Sequence, residues 1–184
     1  MGVEDMLNKI MSNLWLIPEA KFDEKTKDVG YRDSFVYLLV CLIIAIPISI
    51  VAGFFTYDGP TFSMAELITF ITIDTILFTI WIIPVLYIYY GVIHLIIKLL
   101  GGTASYLKSM QVAIYGSTLV LIISSIPILG GIASLIALAN VTLGMKKVHN
   151  LSLFRAILAV VVLPLVVAIV VGILLISTMG VLLY

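Results

Sequence analysis

Residues 34–56, SFVYLLVCLIIAIPISIVAGFFT, contain no charged side chain. An α-helix needs about 20 predominantly apolar residues to cross the roughly 30 Å of bilayer hydrocarbon. This run is long enough, and it is not alone. Further apolar runs cover about 64–100, 110–126, 132–145 and 154–183. The chain is 62% hydrophobic and 11% charged over 184 residues, with mean hydropathy +1.26. Soluble domains carry about 25% charged residues. A water-soluble fold of this length has no place to hide so much apolar surface, whereas lipid covers it. The expectation is an all-α integral membrane protein: a five-span helical bundle with an N-terminal amphipathic helix and a long kinked second span.

The ten basic residues set the orientation. Lys9, Lys21, Lys25, Lys27 and Arg32 precede the first run, Lys98 and Lys108 follow the second, and Lys146, Lys147 and Arg155 separate the fourth and fifth. Threaded through five crossings, all ten fall on one side. Basic residues are retained in cytoplasmic loops, so the N-terminus should be cytoplasmic and the C-terminus outside. No cleavable signal peptide is expected in 1–33, and the first run should act as the insertion signal.

Outward from that run, 3–17 read as one amphipathic helix. Val3, Met6, Leu7, Ile10, Met11, Leu14 and Trp15 share a face, opposite Glu4, Asp5, Asn8, Lys9, Ser12 and Asn13. Pro18 ends it. It serves either as a membrane-surface anchor or as a helix packed on the bundle. A mixed-charge connector, Glu19 to Asp33, completes a cytoplasmic unit at 1–33, with the membrane domain at 34–184. Tyr57-Asp58-Gly59-Pro60 signals a turn. Ser63 and Glu66 form a capping box. The run from 64 to 100 would be about 55 Å long as one helix. Its expected use is a span over 64–90, kinked at Pro84, with Tyr87, Tyr89 and Tyr90 as an aromatic belt and an interfacial extension to 100. The runs at 110–126 and 132–145 form a hairpin that either crosses fully or re-enters. Small residues in the second of these, Gly131, Ala133, Ser134, Ala137, Ala139 and Gly144, favour close helix approach and predict the most buried helix of the bundle.

Little in the chain could carry chemistry. No catalytic or nucleotide-binding motif occurs, and no catalytic residue, metal site or cofactor is expected. Cys41 is the one cysteine. The ionisable residue well inside a span is Asp74, about 12 Å past Glu66 along the helix. Intramembrane carboxylates are costly and often functional. Asp74 with Glu66 is therefore either a cation or proton site, or a carboxyl hydrogen-bonded to hydroxyls or to Asn140. Gln111, Tyr115 and Ser117 should supply interhelical hydrogen bonds. His94 and His149 read as interfacial polar residues. Lys98, Lys108, Lys146, Lys147, His149 and Arg155 predict a basic platform on the inner surface, suited to acidic headgroups or an acidic partner.

Three segments resemble the Yip domain family of Ypt/Rab-interacting membrane proteins: GGTASYLKSMQVAIYGST at 101–118, IPILGGIASL at 126–135 and, most specifically, GMKKVHNLSLFRAI at 144–157. Ile17-Pro18 and Phe22 resemble the short Pro-to-Phe lead of prokaryotic members. The resemblance implies five spans, a non-enzymatic role, and a link to membrane traffic in eukaryotic members. The D-L-Y-G-P-type motif of those members is missing, since Tyr57-Asp58-Gly59-Pro60 lies after the first span. A prokaryotic-type member in a plasma membrane is implied. Two functions compete: an organiser or shaper of membrane that can recruit a protein partner at its cytoplasmic face, and a small ion, proton or solute transporter using Asp74. Expected partners are the bilayer, including anionic lipids, and further copies of the chain as an oligomer; zero net charge gives no case for nucleic acid.

Overall fold

A computed structural model describes residues 3–27, 29–56, 63–167, 169–170 and 173. The described residues are helical, with no strand among them. The elements are α1 (Val3–Ser12), α2 (Lys21–Lys25), α3 (Tyr31–Thr56), α4 (Met64–Leu99), α5 (Tyr106–Gly116), α6 (Thr118–Ile123), α7 (Pro127–Val148) and α8 (Leu153–Ile157). A π-helical turn, Leu158–Val162, continues α8, and helix resumes to 167. Pro164 lies two residues past that wide turn. In a regular helix its ring would collide with the carbonyl four residues earlier, and local widening is one way out of that clash.

Among the described residues, three helices are long and apolar enough to cross a membrane: Tyr31–Phe55, Ala65–Leu99 and Pro127–Val148. The apolar helix Leu153–Val167 is shorter. The anticipated turn at 57–60, and residues 168, 171–172 and 174–183 of the last run, lie outside the described residues. The run 64–100 forms one unbroken 36-residue helix that contains Pro84. Its start is the capping box read from the sequence. Ser63 N–H donates to Glu66 Oε2 at 2.9 Å, and Glu66 N–H donates to Ser63 Oγ at 3.4 Å. Much of α4 is bare: Phe70, Ile73, Phe78 and Ile88 are exposed, and Trp81 is 70% exposed. Apolar side chains in such a row require a non-aqueous cover.

Two expectations are corrected. The most buried helix is α5, not α7. Every residue from Ser109 to Gly116 is buried, because α3, α4 and α7 all pack around it. The small residues of α7 serve that arrangement: Ala133, Ala137 and Gly144 are buried, whereas a Cβ on Gly131 would meet nothing within 4 Å. The third run is also broken, at Gly116–Ser117, into α5 and α6. There a Cβ on Gly116 would lie 3.1 Å from the Val141 backbone nitrogen, so α5 and α7 meet backbone to backbone.

The second correction concerns the N-terminus. The helix expected over 3–17 stops at Ser12. Met6, Ile10 and Leu14 pack on the core, whereas Leu7, Met11, Trp15 and Leu16 stay exposed. Asn13, assigned by periodicity to the polar face, is fully buried. Tertiary hydrogen bonds made by residues 13–17 compete with the helix ladder and end it.

A polar, basic end of the bundle as the candidate functional site

The N-terminal segment crosses the end of the bundle where α3 and α5 begin and α4 and α7 finish. Asn140 on α7 clasps it. Ile17 N–H donates to Asn140 Oδ1 at 2.8 Å, and Asn140 Nδ2 donates to Trp15 O at 3.0 Å and Gly116 O at 3.4 Å. One buried amide thus joins three chain segments. Below it, Asn13 Nδ2 donates to Tyr37 Oη at 2.9 Å, and Tyr37 Oη pairs with Thr118 Oγ1 at 2.8 Å. The Tyr37 ring meets Tyr115 edge to face, centroids 4.8 Å apart. Gln111 Nε2 donates to Val29 O at 2.7 Å and to Ser34 Oγ at 3.3 Å. Phe22, fully buried, fills the slot left open by Gly144. Buried polar groups need partners of this kind, and here most partners lie on different elements.

A second network joins the two loops of this end. Ala104 N–H donates to His149 Nδ1 at 3.2 Å. His149 therefore carries its proton on Nε2, which donates to Ser109 Oγ at 2.7 Å. The Ser109 hydroxyl is then directed to His94 Nδ1 at 2.8 Å, since its other acceptor, Ser105 O, lies at 3.4 Å. His94 also stacks edge-on with Tyr106, whose hydroxyl donates to Tyr87 O at 3.1 Å. Gly102 makes this possible: a Cβ there would fall 2.8 Å from His149 Nδ1 and 2.9 Å from Ile97 O. Gly101 takes φ +93°, a conformation suited to glycine. Arg155 Nη1 closes the loop by donating to Leu100 O at 3.3 Å.

Ser109 between two imidazoles has the composition of a nucleophile and base. Its Oγ is buried and engaged on both sides, so the chain of bonds acts as a structural pin. The expectation of His149 as an interfacial polar residue of the basic platform is thereby corrected. It is fully buried, and burial, then His94 and Lys98, push its pKa down to about 4. A neutral imidazole adds no charge to the basic platform. The unfolded chain binds that proton near pH 6.5, so the unfolded state is the better proton acceptor below that pH. Stability should fall as pH drops from 6.5 toward 4, by about 1 kcal/mol between pH 6.5 and 5.5. Thermal unfolding in detergent across this range should show the slope, and His149→Gln should flatten it.

The remaining residues singled out by sequence are dispersed. Lys146 pairs with Glu19 at 2.7 Å and Lys147 with Asp23 at 3.3 Å. These two lysines fasten the connector to α7 instead of standing free. Lys98 and Arg155 are exposed and Lys108 is half-buried. Asp74 is exposed on α4 and makes no hydrogen bond or ion pair among the described residues. Neither alternative partner pairs with it: Thr69 and Thr79 donate to backbone carbonyls, and the clasp occupies the Asn140 amide. Glu66 lies at the opposite end of α4 from the basic site, bound to Ser63. What the sequence concealed was the clasp itself. Its only trace was a lone asparagine within the small-residue run of α7.

No curated protein and no solved structure matches the chain. A family model, the Yip1 domain, matches residues 12–176. The match takes in the connector, the clasp and both loops of the histidine network, where 101–118 and 144–157 contact each other through Ala104, Ser109 and His149. This membrane protein belongs to the Yip1 domain family.

Proposed function

We propose that the chain is a non-enzymatic, five-span membrane protein that organises or shapes membrane, or recruits a partner, through a structured face at its basic end. The orientation of this reading is N-terminus inside and C-terminus outside, supported by the placement of all ten Lys and Arg residues. The observation that carries it is the docking of 10–27 and 29–34 onto the bundle by buried hydrogen bonds from Asn13, Ile17 and Gln111 and by the buried ring of Phe22. A segment held this firmly presents a fixed surface. Leu7, Met11, Trp15 and Leu16 form its exposed apolar edge, well suited to the headgroup boundary. The transporter reading has weaker support. Asp74 is exposed on α4, and the core is filled by Tyr37, Tyr115, Met110, Ile114 and Met145.

Reconstitution into vesicles tests this. Vesicle size and curvature should change with protein dose, and the change should be lost when 3–33 is removed. Proton and cation flux should stay at the protein-free level, with Asp74→Asn identical to wild type. Flux that disappears in the Asn variant would establish the transporter instead. Labelling of a cysteine at position 58, on a Cys41→Ser background, should occur only from the outside.

A further inference from the structure

The connector alternates acidic and basic residues, and the fold sorts them. Glu19 and Asp23 turn toward Lys146 and Lys147. The lysines turn the other way. Between α1 and α2 lies a cavity of about 430 Å³ lined by Lys9, Ser12, Lys21, Glu24, Lys25, Lys27 and Val29. Among the described lining residues, four lysines thus stand against one carboxylate, Glu24, while Asp33 also acts on Lys9.

Two of the four are held in place. Lys9 Nζ lies 4.1 Å from the centre of the Tyr115 ring and donates to Lys25 O at 3.3 Å. A cation over a tyrosine face is favourable but does not cancel its charge. Lys25 Nζ donates to Ser12 Oγ at 2.8 Å and to Asn13 Oδ1. Both side chains are half-buried, and neither takes part in the ion pairs among the described residues. Lys21 and Lys27 are exposed at the rim. Burial, then Lys9 and Lys21, push the Lys25 pKa down to about 8. Asp33 offsets part of the charge on Lys9 and Glu24 part of that on Lys25, but partly desolvated ammonium groups that outnumber the described carboxylates beside them oppose one another, and a bound anion relieves that repulsion. An ammonium is a compact donor suited to phosphate as a point charge.

From this arrangement we infer that the Lys9–Lys21–Lys25–Lys27 cavity is a binding site for a phosphate group carrying two negative charges, either a phosphomonoester lipid headgroup or a soluble phosphate compound. The site is separate from the platform around Lys98 and Arg155, and the proposal goes beyond the function given above. If the N-inside reading holds, the cavity opens beside the inner leaflet.

The test uses the full chain in nanodiscs, which expose both faces, so a failed orientation reading cannot mask binding. Discs of phosphatidylcholine alone are compared with discs containing phosphatidic acid or phosphatidylglycerol, and with phosphatidylcholine discs given inorganic pyrophosphate. Melting temperature and equilibrium binding are read. Stabilisation by phosphatidic acid well above phosphatidylglycerol assigns the lipid headgroup, and stabilisation by pyrophosphate assigns a soluble source. Lys21→Gln with Lys27→Gln removes rim charges that make no packing contact with the core. Two charges worth about 1 kcal/mol each should weaken binding about 30-fold. Lys98→Gln should leave it unchanged. Equal response to both lipids without a pyrophosphate effect, or undiminished binding in the double variant, would overturn the assignment.

Discussion

Asn140→Leu should release the N-terminal segment and lower stability by about 4 kcal/mol. Leucine keeps the branched shape but is larger, so some overpacking adds to the loss of hydrogen bonds. The Asn140 amide accepts from Ile17 N–H and donates to Trp15 O and Gly116 O. Leucine offers none of these and leaves main-chain groups unpaired next to apolar surroundings. Each such buried group costs about 1–3 kcal/mol. The bundle beneath is joined independently through Tyr37, Tyr115 and Gly116, so its helices should persist. The readout is therefore split. Limited proteolysis should cut within 10–30 long before the membrane domain unfolds, and the melting temperature should drop. Asn140→Asp keeps the acceptor for Ile17 and should lose less. A leucine variant as protease-resistant as wild type would show that the segment is held by apolar contacts alone, chiefly Ile10, Ile17 and Phe22.

Gly144→Leu should destabilise by about 3 kcal/mol, and Gly144→Ala by less. A Cβ at this position would lie 2.5 Å from Val112 Cγ1 and 2.8 Å from two ring carbons of Phe22. Val112 and Phe22 are both fully buried, and a β-branched valine has little rotamer freedom. The clash must then be relieved by moving α7 from α5 or by expelling Phe22 from its slot. Overpacking of this kind costs roughly 1–3 kcal/mol, occasionally more. Expulsion of Phe22 would also loosen α2 and hence the wall of the lysine cavity. Gly131→Leu is the control, since nothing lies within 4 Å of a Cβ there. Equal stability of the two leucine variants would contradict the close approach of α5, α7 and Phe22.

Membrane class, the long apolar helices and the capped start of α4 could all be read from the sequence. They depend on hydropathy or on residues within four positions of each other, as Ser63 and Glu66 are. The gathering of basic residues in three clusters was equally visible. Tertiary structure alone decided which of those charges remain available. Lys146 and Lys147 are taken up by Glu19 and Asp23, more than 120 positions away, while Lys9 and Lys25 are brought together across α1 and α2. It also decided that His149 is buried and neutral, that Asn140 holds the N-terminus rather than Asp74, and that α5 lies at the centre. The physical reason is range. Hydrophobicity and caps act through a residue's own neighbours, whereas a buried polar atom takes whichever partner the packed helices carry to within 3 Å, and no local pattern encodes that choice.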